Sequence, residues 1–204
     1  MYVSDEISVP APYALASYAE SWLGVKETTR NRGPEVDFFV RVAGGRPSSK
    51  PPWCAYFVTF CCDQVRRMGF ELHDVRTGRA VKHWLDAYPS RRVERDQIWE
   101  LIDPRGLIYV RTRTSKPTTD TDKVRQGISR LGHVGIVVGV DGDTIIGVAG
   151  NSSSAGHSAG GGAVCKELIT KGDPAYERIV GFVSVVDLAD EVELPPVFIR
   201  PEES

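Results

Sequence analysis

The chain has 204 residues, 41% of them hydrophobic, which fits one globular domain and leaves too little length for two full ones. Its 25 basic and 27 acidic side chains nearly cancel to a net charge of −2, so the charge balance does not favour nucleic acid or an anionic membrane as a partner. The sequence lacks the long apolar run of a membrane-spanning helix, and no membrane insertion is expected.

Four helices are predicted in the first half of the chain, because apolar residues recur there at helical spacing. The third is apolar on nearly every face, which is typical of a central buried helix. Two prolines, Pro51 and Pro52, end an extended approach to it, and it begins at or just before Cys54. The four helices are expected over residues 12–23, 34–43, 54–68 and 80–88.

Strands are predicted in the second half, over residues 107–110, 134–140, 144–148, 163–169 and 179–186. Asp141-Gly142 is a strong signal for a tight hairpin. Two long polar segments, 112–130 and 151–162, are predicted to be loops. Helices followed by strands indicate a single α+β domain with an antiparallel sheet over 1–187. The acidic, proline-containing segment 188–204 is expected to be a loosely packed tail.

The cysteines and the N-terminus indicate the compartment in which the protein is made. Four cysteines, two of them adjacent in sequence, do not form the pattern of a disulfide framework. The first ten residues are partly acidic and have no apolar core, so no secretion signal is expected. The protein is therefore expected to be made in the cytoplasm. It would reach a substrate outside the cell by export, by lysis, or by delivery through a phage or a secretion system.

Cys54 is the predicted nucleophile. The first turn of a helix carries unpaired N–H groups and a partial positive charge, and both favour a thiolate over a thiol. The alternative is a small core residue, which is the usual role of an arbitrary cysteine. That role is expected of Cys61 and Cys62, two helical turns further along, and of Cys165 in a strand.

His133 is the predicted general base. It opens a β-branched strand between Gly132 and Gly135, which are expected to leave room for the imidazole. The alternative is a histidine that merely ends a strand. Asn151 follows the strand that the Asp141-Gly142 hairpin pairs with that of His133, so it is the leading candidate to orient the ring. An asparagine that simply begins the next loop is an equal alternative.

Three residues are candidates for substrate binding: Glu27, Asn31 and Trp53. Glu27 and Asn31 have a structural alternative, in which they pin the turn between the first two helices. Trp53 stands next to the thiol, where it either lines a substrate cleft or fills the core. For all three residues the structural alternative is favoured.

Five sequence elements in order resemble the CHAP group of cysteine, histidine-dependent amidohydrolases and peptidases, relatives of the NlpC-type cell-wall hydrolases. The resemblance covers about residues 12 to 187, and the third and fourth elements together are its most specific part. The elements are Leu23-Gly24-Val25-Lys26-Glu27, Asn31-Arg32-Gly33-Pro34-Glu35-Val36-Asp37, Pro52-Trp53-Cys54-Ala55, Gly132-His133-Val134-Gly135-Ile136-Val137 and Gly150-Asn151-Ser152.

This resemblance implies a papain-like fold and a peptidoglycan hydrolase of the phage or bacterial lysin type, either an N-acetylmuramoyl-L-alanine amidase or a peptidoglycan endopeptidase. It implies that Cys54 attacks an amide carbonyl, that His133 moves the proton and that Asn151 orients His133. No cofactor is expected, and no metal either, since the calcium-binding acidic cluster of some members has no counterpart here.

Two departures from the family pattern leave alternatives open. Relatives often carry an acidic residue two positions before the asparagine, where this chain has Ala149, and often carry Gly-Asp at the strand opening, where this chain has Gly106-Leu107. Either departure is compatible with a substitute acid such as Glu27. It is also compatible with a weak or inactive cell-wall-binding or virion module. A third alternative is a Cys/His acyltransferase or toxin that acts on another amide.

Overall fold

The computed structural model describes residues 9–113, 117–126, 132–153 and 162–187, with the backbone alone for 117–120. The helices are α1 (Ala11–Glu20), α2 (Pro34–Val42), α3 (Cys54–Arg67), α4 (Ala80–Leu85), α5 (Pro117–Arg125) and α6 (Pro174–Glu177). The strands are β1 (Arg92–Val93), β2 (Ile108–Thr112), β3 (Gly132–Asp141), β4 (Thr144–Ser152), β5 (Ala163–Thr170) and β6 (Ile179–Val183). The predicted tail, 188–204, and most of the segment 151–162 lie outside the described residues.

The described strands form one six-stranded sheet in the order β1-β6-β2-β3-β4-β5, and every neighbouring pair is antiparallel. β3 and β4 form the hairpin predicted from Asp141-Gly142, with Asp141 opposite Thr144. Helices pack on this sheet, so the α+β prediction is confirmed. A bulge shifts the β4–β5 register between Ala149 and Ser152, near the site described below.

The predicted N-terminal helices cover one face of the sheet. α3 is buried along most of its length, and α1 and α2 pack against it through aromatic side chains. The ring of Phe39 lies 5.1 Å from that of Trp22 and 4.7 Å from that of Phe60. α3 has 14 residues, and within the described ranges no helix is both long and apolar enough to cross a membrane.

A second apolar cluster lies on the other face of the sheet. There Tyr109, Val137 and Ile169 from the strands pack with Tyr176 of α6 and with Ile98, which lies in a 3₁₀ helix at Arg95–Glu100. The sheet is therefore buried on both faces, which explains why the predicted strands read as nearly continuous apolar runs.

Three of these helices and strands were not predicted: α5, the four-residue α6 and β1. The polar segment expected to be a loop contains α5, whose sequence has no apolar stripe; its one fully buried apolar side chain, among those described, is Val124. Tertiary contacts hold this helix, because the Arg125 guanidinium donates to the Val180 carbonyl at 2.8 Å and to the Glu94 carboxylate at 2.6 Å. The two-residue strand β1 is too short to give a periodic signal.

Residues 24–27 run along the outer edge of β5. The Gly24 N–H donates to the Val164 carbonyl and the Glu27 N–H donates to the Gly162 carbonyl, both at 3.0 Å. This pairing fastens the turn after α1 to the sheet. It brings Glu27 to the part of the fold where α3 begins.

Candidate active site

Cys54 is the first residue of α3. The Phe57 N–H donates to the Trp53 carbonyl at 2.9 Å, which begins the hydrogen-bond ladder of the helix. The Cys54 N–H precedes this ladder and belongs to the groups that a helix leaves unpaired at its N-terminus. The thiol therefore lies in the partial positive charge at the start of the helix, as the two preceding prolines predicted.

The Cys54 thiol meets the His133 imidazole, and each residue is only 3% exposed. Burial alone would raise the pKa of Cys54, but the hydrogen bond with His133 and the charges of His133 and Arg113 outweigh burial and lower the pKa. Burial alone would lower the pKa of His133, whereas hydrogen bonds with Cys54 and Glu167 raise it. These opposite shifts favour a thiolate–imidazolium pair.

Glu167 holds the far side of the His133 ring. Its Oε1 lies 3.1 Å from Nε2 of His133. Burial alone would raise the pKa of Glu167, but the hydrogen bond from His133 and the charges of His133 and Arg111 hold it well below its usual range. An ionised carboxylate only accepts hydrogen bonds, so Nε2 carries a hydrogen and Nδ1 is the nitrogen left to exchange a proton with the thiol.

Three further donors fix the Glu167 carboxylate. The Tyr109 hydroxyl donates at 2.7 Å, Nη2 of Arg111 lies 2.9 Å from each oxygen, and the Ser152 hydroxyl donates to Oε1. Burial and the nearby carboxylate raise the pKa of Tyr109 well above its usual value, so its phenol stays protonated and remains a donor. A carboxylate satisfied in this way can hold the imidazole in one orientation.

Tyr109 reaches Glu167 by lying across two neighbouring strands. It stands opposite Gly135 of β3, and Gly147 of β4 stands opposite Glu167 of β5. A Cβ at Gly135 would overlap the Tyr109 ring, and one at Gly147 would lie 2.6 Å from its Cε1 atom. Both positions must therefore lack a side chain if the phenol is to reach the carboxylate.

The glycines on either side of His133 have a different purpose from the predicted one. A Cβ at Gly132 would lie 2.7 Å from Cγ1 of Val81 on α4, and a Cβ at Gly135 would overlap Tyr109. The two glycines make room for these side chains rather than for the imidazole. The predicted position of His133 at the start of its strand is confirmed, but the reason given for its glycines is wrong.

Arg113 lies on the thiol side of the imidazole, with its Nη2 atom 3.2 Å from Nδ1 of His133. A guanidinium only donates hydrogen bonds, so Nδ1 accepts this one when the imidazole is neutral and cannot accept it in the thiolate–imidazolium pair. Arg113 is an exposed residue directly after the end of β2. The one nitrogen that can take the thiol proton therefore has two neighbours, the Cys54 thiol and the Arg113 guanidinium.

Asn151 does not contact the imidazole in the described part of the chain. The β3–β4 ladder ends at the pair Ile136 and Val148, before Asn151 would stand opposite His133. The backbone of Asn151 has a left-handed φ of 52° at the bulge. Its Oδ1 lies over Gly162, 2.5 Å from where a Cβ would be. The predicted contact with His133 is absent because the bulge redirects the side chain.

Glu27, Asn31 and Trp53 form one hydrogen-bonded group. Oε2 of Glu27 accepts from the Asn31 N–H at 2.9 Å and from Nε1 of Trp53 at 3.1 Å, while Nδ2 of Asn31 donates to the Lys50 carbonyl at 3.0 Å. Trp53 is fully buried and its ring lies 6.0 Å from that of Phe39, so it fills the core and does not line an open cleft. The group pins the turn after α1 to the chain that enters α3.

The neighbouring thiols differ from Cys54. Cys61 and Cys62 are fully buried in the core, as predicted, and burial raises the pKa of each well above its usual value. Among the described residues, no group of three or more His, Cys, Asp or Glu side chains is arranged to hold a metal ion.

Glu167, Tyr109 and Arg113 were not predicted as site residues from the sequence. A signal for Glu167 was present, because side chains two residues apart in a strand share a face. Glu167 therefore lies on the same face as the buried Ile169, where its carboxylate must find hydrogen-bond donors.

Comparisons with protein-family models, with curated proteins and with solved structures find no match for this chain.

Proposed function

We propose that this protein is a cysteine hydrolase of the CHAP type, with a papain-like arrangement, that cleaves an amide bond of peptidoglycan through an acyl-thioenzyme. The observation that carries the proposal is the contact of Cys54, at a helix N-terminus, with His133, whose other nitrogen is held by Glu167. Nucleophile, base and orienting acceptor are the three parts that covalent amide hydrolysis needs. The choice of peptidoglycan rests on the sequence resemblance.

In the first half-reaction the Cys54 thiol transfers its proton to Nδ1 of His133, and the thiolate attacks the amide carbonyl. The negative charge on the carbonyl oxygen is stabilised by the N–H of Cys54 and the positive end of α3. The tetrahedral intermediate collapses as the imidazolium returns the proton to the departing amine. The Cys54 sulfur then carries the acyl group as a thioester.

In the second half-reaction a water molecule gives a proton to Nδ1 and attacks the thioester carbonyl. The products are a free carboxylate and the regenerated thiol. Throughout, Glu167 accepts the hydrogen bond of Nε2 and stabilises the charged ring, so its role is to position and polarise His133.

Glu167 also bears on the alternative of an inactive binding module. That alternative arose because Ala149 stands where relatives often carry an acid. Glu167, on the neighbouring strand, supplies a carboxylate to the imidazole and is therefore the substitute acid, in place of the suggested Glu27. This supports an enzyme over a module that keeps only the fold.

The test is to incubate the purified protein with purified peptidoglycan and to identify the released fragments by mass spectrometry. We expect a new amine and a new carboxylate at one bond, which also distinguishes an amidase from an endopeptidase. Cys54→Ala should abolish release, whereas Cys61→Ala, which removes a buried thiol of the same helix, should retain it. Equal release by Cys54→Ala would reject the thiol mechanism, and an acyl group transferred to an amine would favour the acyltransferase alternative.

A further inference from the structure

Arg113 has no carboxylate partner in the described part of the chain, whereas several other arginines do. Arg111 pairs with Glu167, Arg125 with Glu94, and Arg105 with Asp103. The contact of Arg113 is with a single ring nitrogen, Nδ1 of His133, at 3.2 Å. An exposed guanidinium is thus held beside the reacting thiol with most of its donors uncommitted.

That contact is weak compared with the one a guanidinium prefers. A carboxylate accepts two parallel N–H bonds from arginine in a planar, charge-assisted pair. A single imidazole nitrogen accepts at most one bond, and its ring tends to carry the same positive charge as the guanidinium. A carboxylate that entered the site would therefore take Arg113 away from His133.

We propose that Arg113 is the receptor for a carboxylate of the substrate, so that the site takes peptides with a free carboxylate beside the scissile amide and discriminates against the carboxamide form. The proposal rests on the proposed function, because it names the chemistry of the substrate at the same thiol. It assigns to Arg113 a role in specificity, while Cys54 and His133 do the bond breaking.

Two consequences follow from the position of Arg113. The substrate carboxylate is held next to Cys54, which orients the adjoining carbonyl for attack. A site built to bind a charged group rejects the neutral isostere because its cation is then left unpaired.

The experiment compares two alkylating reagents of nearly equal shape, iodoacetate and iodoacetamide. In both the thiolate displaces iodide, but only iodoacetate carries a carboxylate. The ratio of the two rate constants at Cys54, divided by the same ratio for free cysteine, cancels the fraction of thiol that is ionised. We expect this normalised ratio to be about 10 or more in the wild type, since one well-placed ion pair is worth roughly that factor.

Arg113→Gln should lower the normalised ratio at least about 5-fold by slowing iodoacetate more than iodoacetamide. The matched control is Arg67→Gln, which removes the same charge from an exposed position at the far end of α3. It should leave the ratio unchanged. An equal slowing of both reagents in Arg113→Gln would mean that Arg113 acts on the thiolate alone, and this would overturn the proposal.

Peptide substrates give an independent reading. A muropeptide with a free carboxylate beside the cleaved bond should have a higher kcat/KM than its amidated form, and Arg113→Gln should bring the two values within about 2-fold of each other. A retained preference in the variant would also overturn the proposal. An unreactive Cys54 in the wild type would contradict the thiol mechanism itself, which distinguishes that failure from the failure of the carboxylate site.

Discussion

Oε1 of Glu167 lies 3.1 Å from Nε2 of His133, although the two residues are on strands separated by β4. Glu167 stands opposite Gly147 of β4, and the next residue of β4 on the same face is Ala149. Neither position carries a side chain large enough to separate the imidazole from the carboxylate. These small residues of β4 therefore allow a carboxylate two strands away to orient the base.

Glu167→Gln is expected to lower kcat/KM by roughly 10²-fold or more, because a neutral amide stabilises the imidazolium poorly and can bind the wrong tautomer. Removal of the carboxylate also lowers the pKa of His133, so fewer thiolate–imidazolium pairs form near neutral pH. The rate of Cys54 alkylation by iodoacetamide, measured against pH, should move its rise to higher pH.

The comparison for this variant is Asn151→Gly. Glycine accepts the left-handed backbone of Asn151, which has a φ of 52°, so the substitution removes the side chain without adding strain. We expect its kcat/KM to stay within about 3-fold of the wild type. A large loss in Asn151→Gly together with a small loss in Glu167→Gln would restore the role predicted for Asn151.

Much of the fold and the central pair of the site could be predicted because the responsible signals are local. Apolar spacing located α1 to α4, and Asp141-Gly142 fixed the β3–β4 hairpin. Pro51 and Pro52 placed Cys54 at a helix start. Each of these signals depends on a few neighbouring residues and does not depend on how the rest of the chain packs.

The rest of the site depends on strand register, which the sequence did not determine. The polar segment between β4 and β5 is too long to set their pairing, so Glu167 could not be placed opposite Gly147. The bulge that redirects Asn151 has no signal in a single sequence. α5 could not be predicted either, since contacts such as Arg125 to Val180 hold it rather than an apolar stripe.

Gly135→Ala is expected to destabilise the protein by about 1–3 kcal/mol, because its Cβ would overlap the Tyr109 ring. The phenol would be pushed away from Glu167, so activity should fall as well. Urea denaturation gives the free energy of unfolding. Gly139→Ala is the control on the same strand, since a Cβ there would meet nothing within 4 Å. Equal losses in the two variants would show that the Tyr109 contact is not the cause.

Glu27→Ala is expected to lower the free energy of unfolding by about 1–2 kcal/mol, because the Trp53 indole and the Asn31 N–H lose their shared acceptor. Glu27→Gln keeps a carbonyl oxygen that can accept both bonds, so it should lose less. Urea denaturation and KM are measured together. A raised KM with unchanged stability in Glu27→Ala would instead support the substrate-binding role.

His83 gives the protein a pH-dependent stability outside the active site. It lies on α4, is 1% exposed, and neither ring nitrogen completes a hydrogen bond with any of the residues that the structure describes. Burial lowers its pKa to about 4 from an ordinary 6.5, although the nearby Ala55 carbonyl and the charge of Asp86 partly oppose this. The folded protein therefore keeps His83 neutral at a pH where the unfolded chain binds a proton.

The unfolded state binds more protons below pH 6.5. The part of the free energy of unfolding that depends on a neutral His83 is therefore fully present above that pH and is lost as the pH falls toward 4. The loss amounts to about 3 kcal/mol for a pKa difference of this size. His83→Met, which cannot be protonated, should remove that part of the slope when the free energy of unfolding is measured in urea at pH 7 and pH 4.5. His73→Gln, at an exposed histidine, should follow the wild type. Parallel pH dependences in the wild type and His83→Met would mean that the imidazole is already charged, or hydrated, in the folded protein.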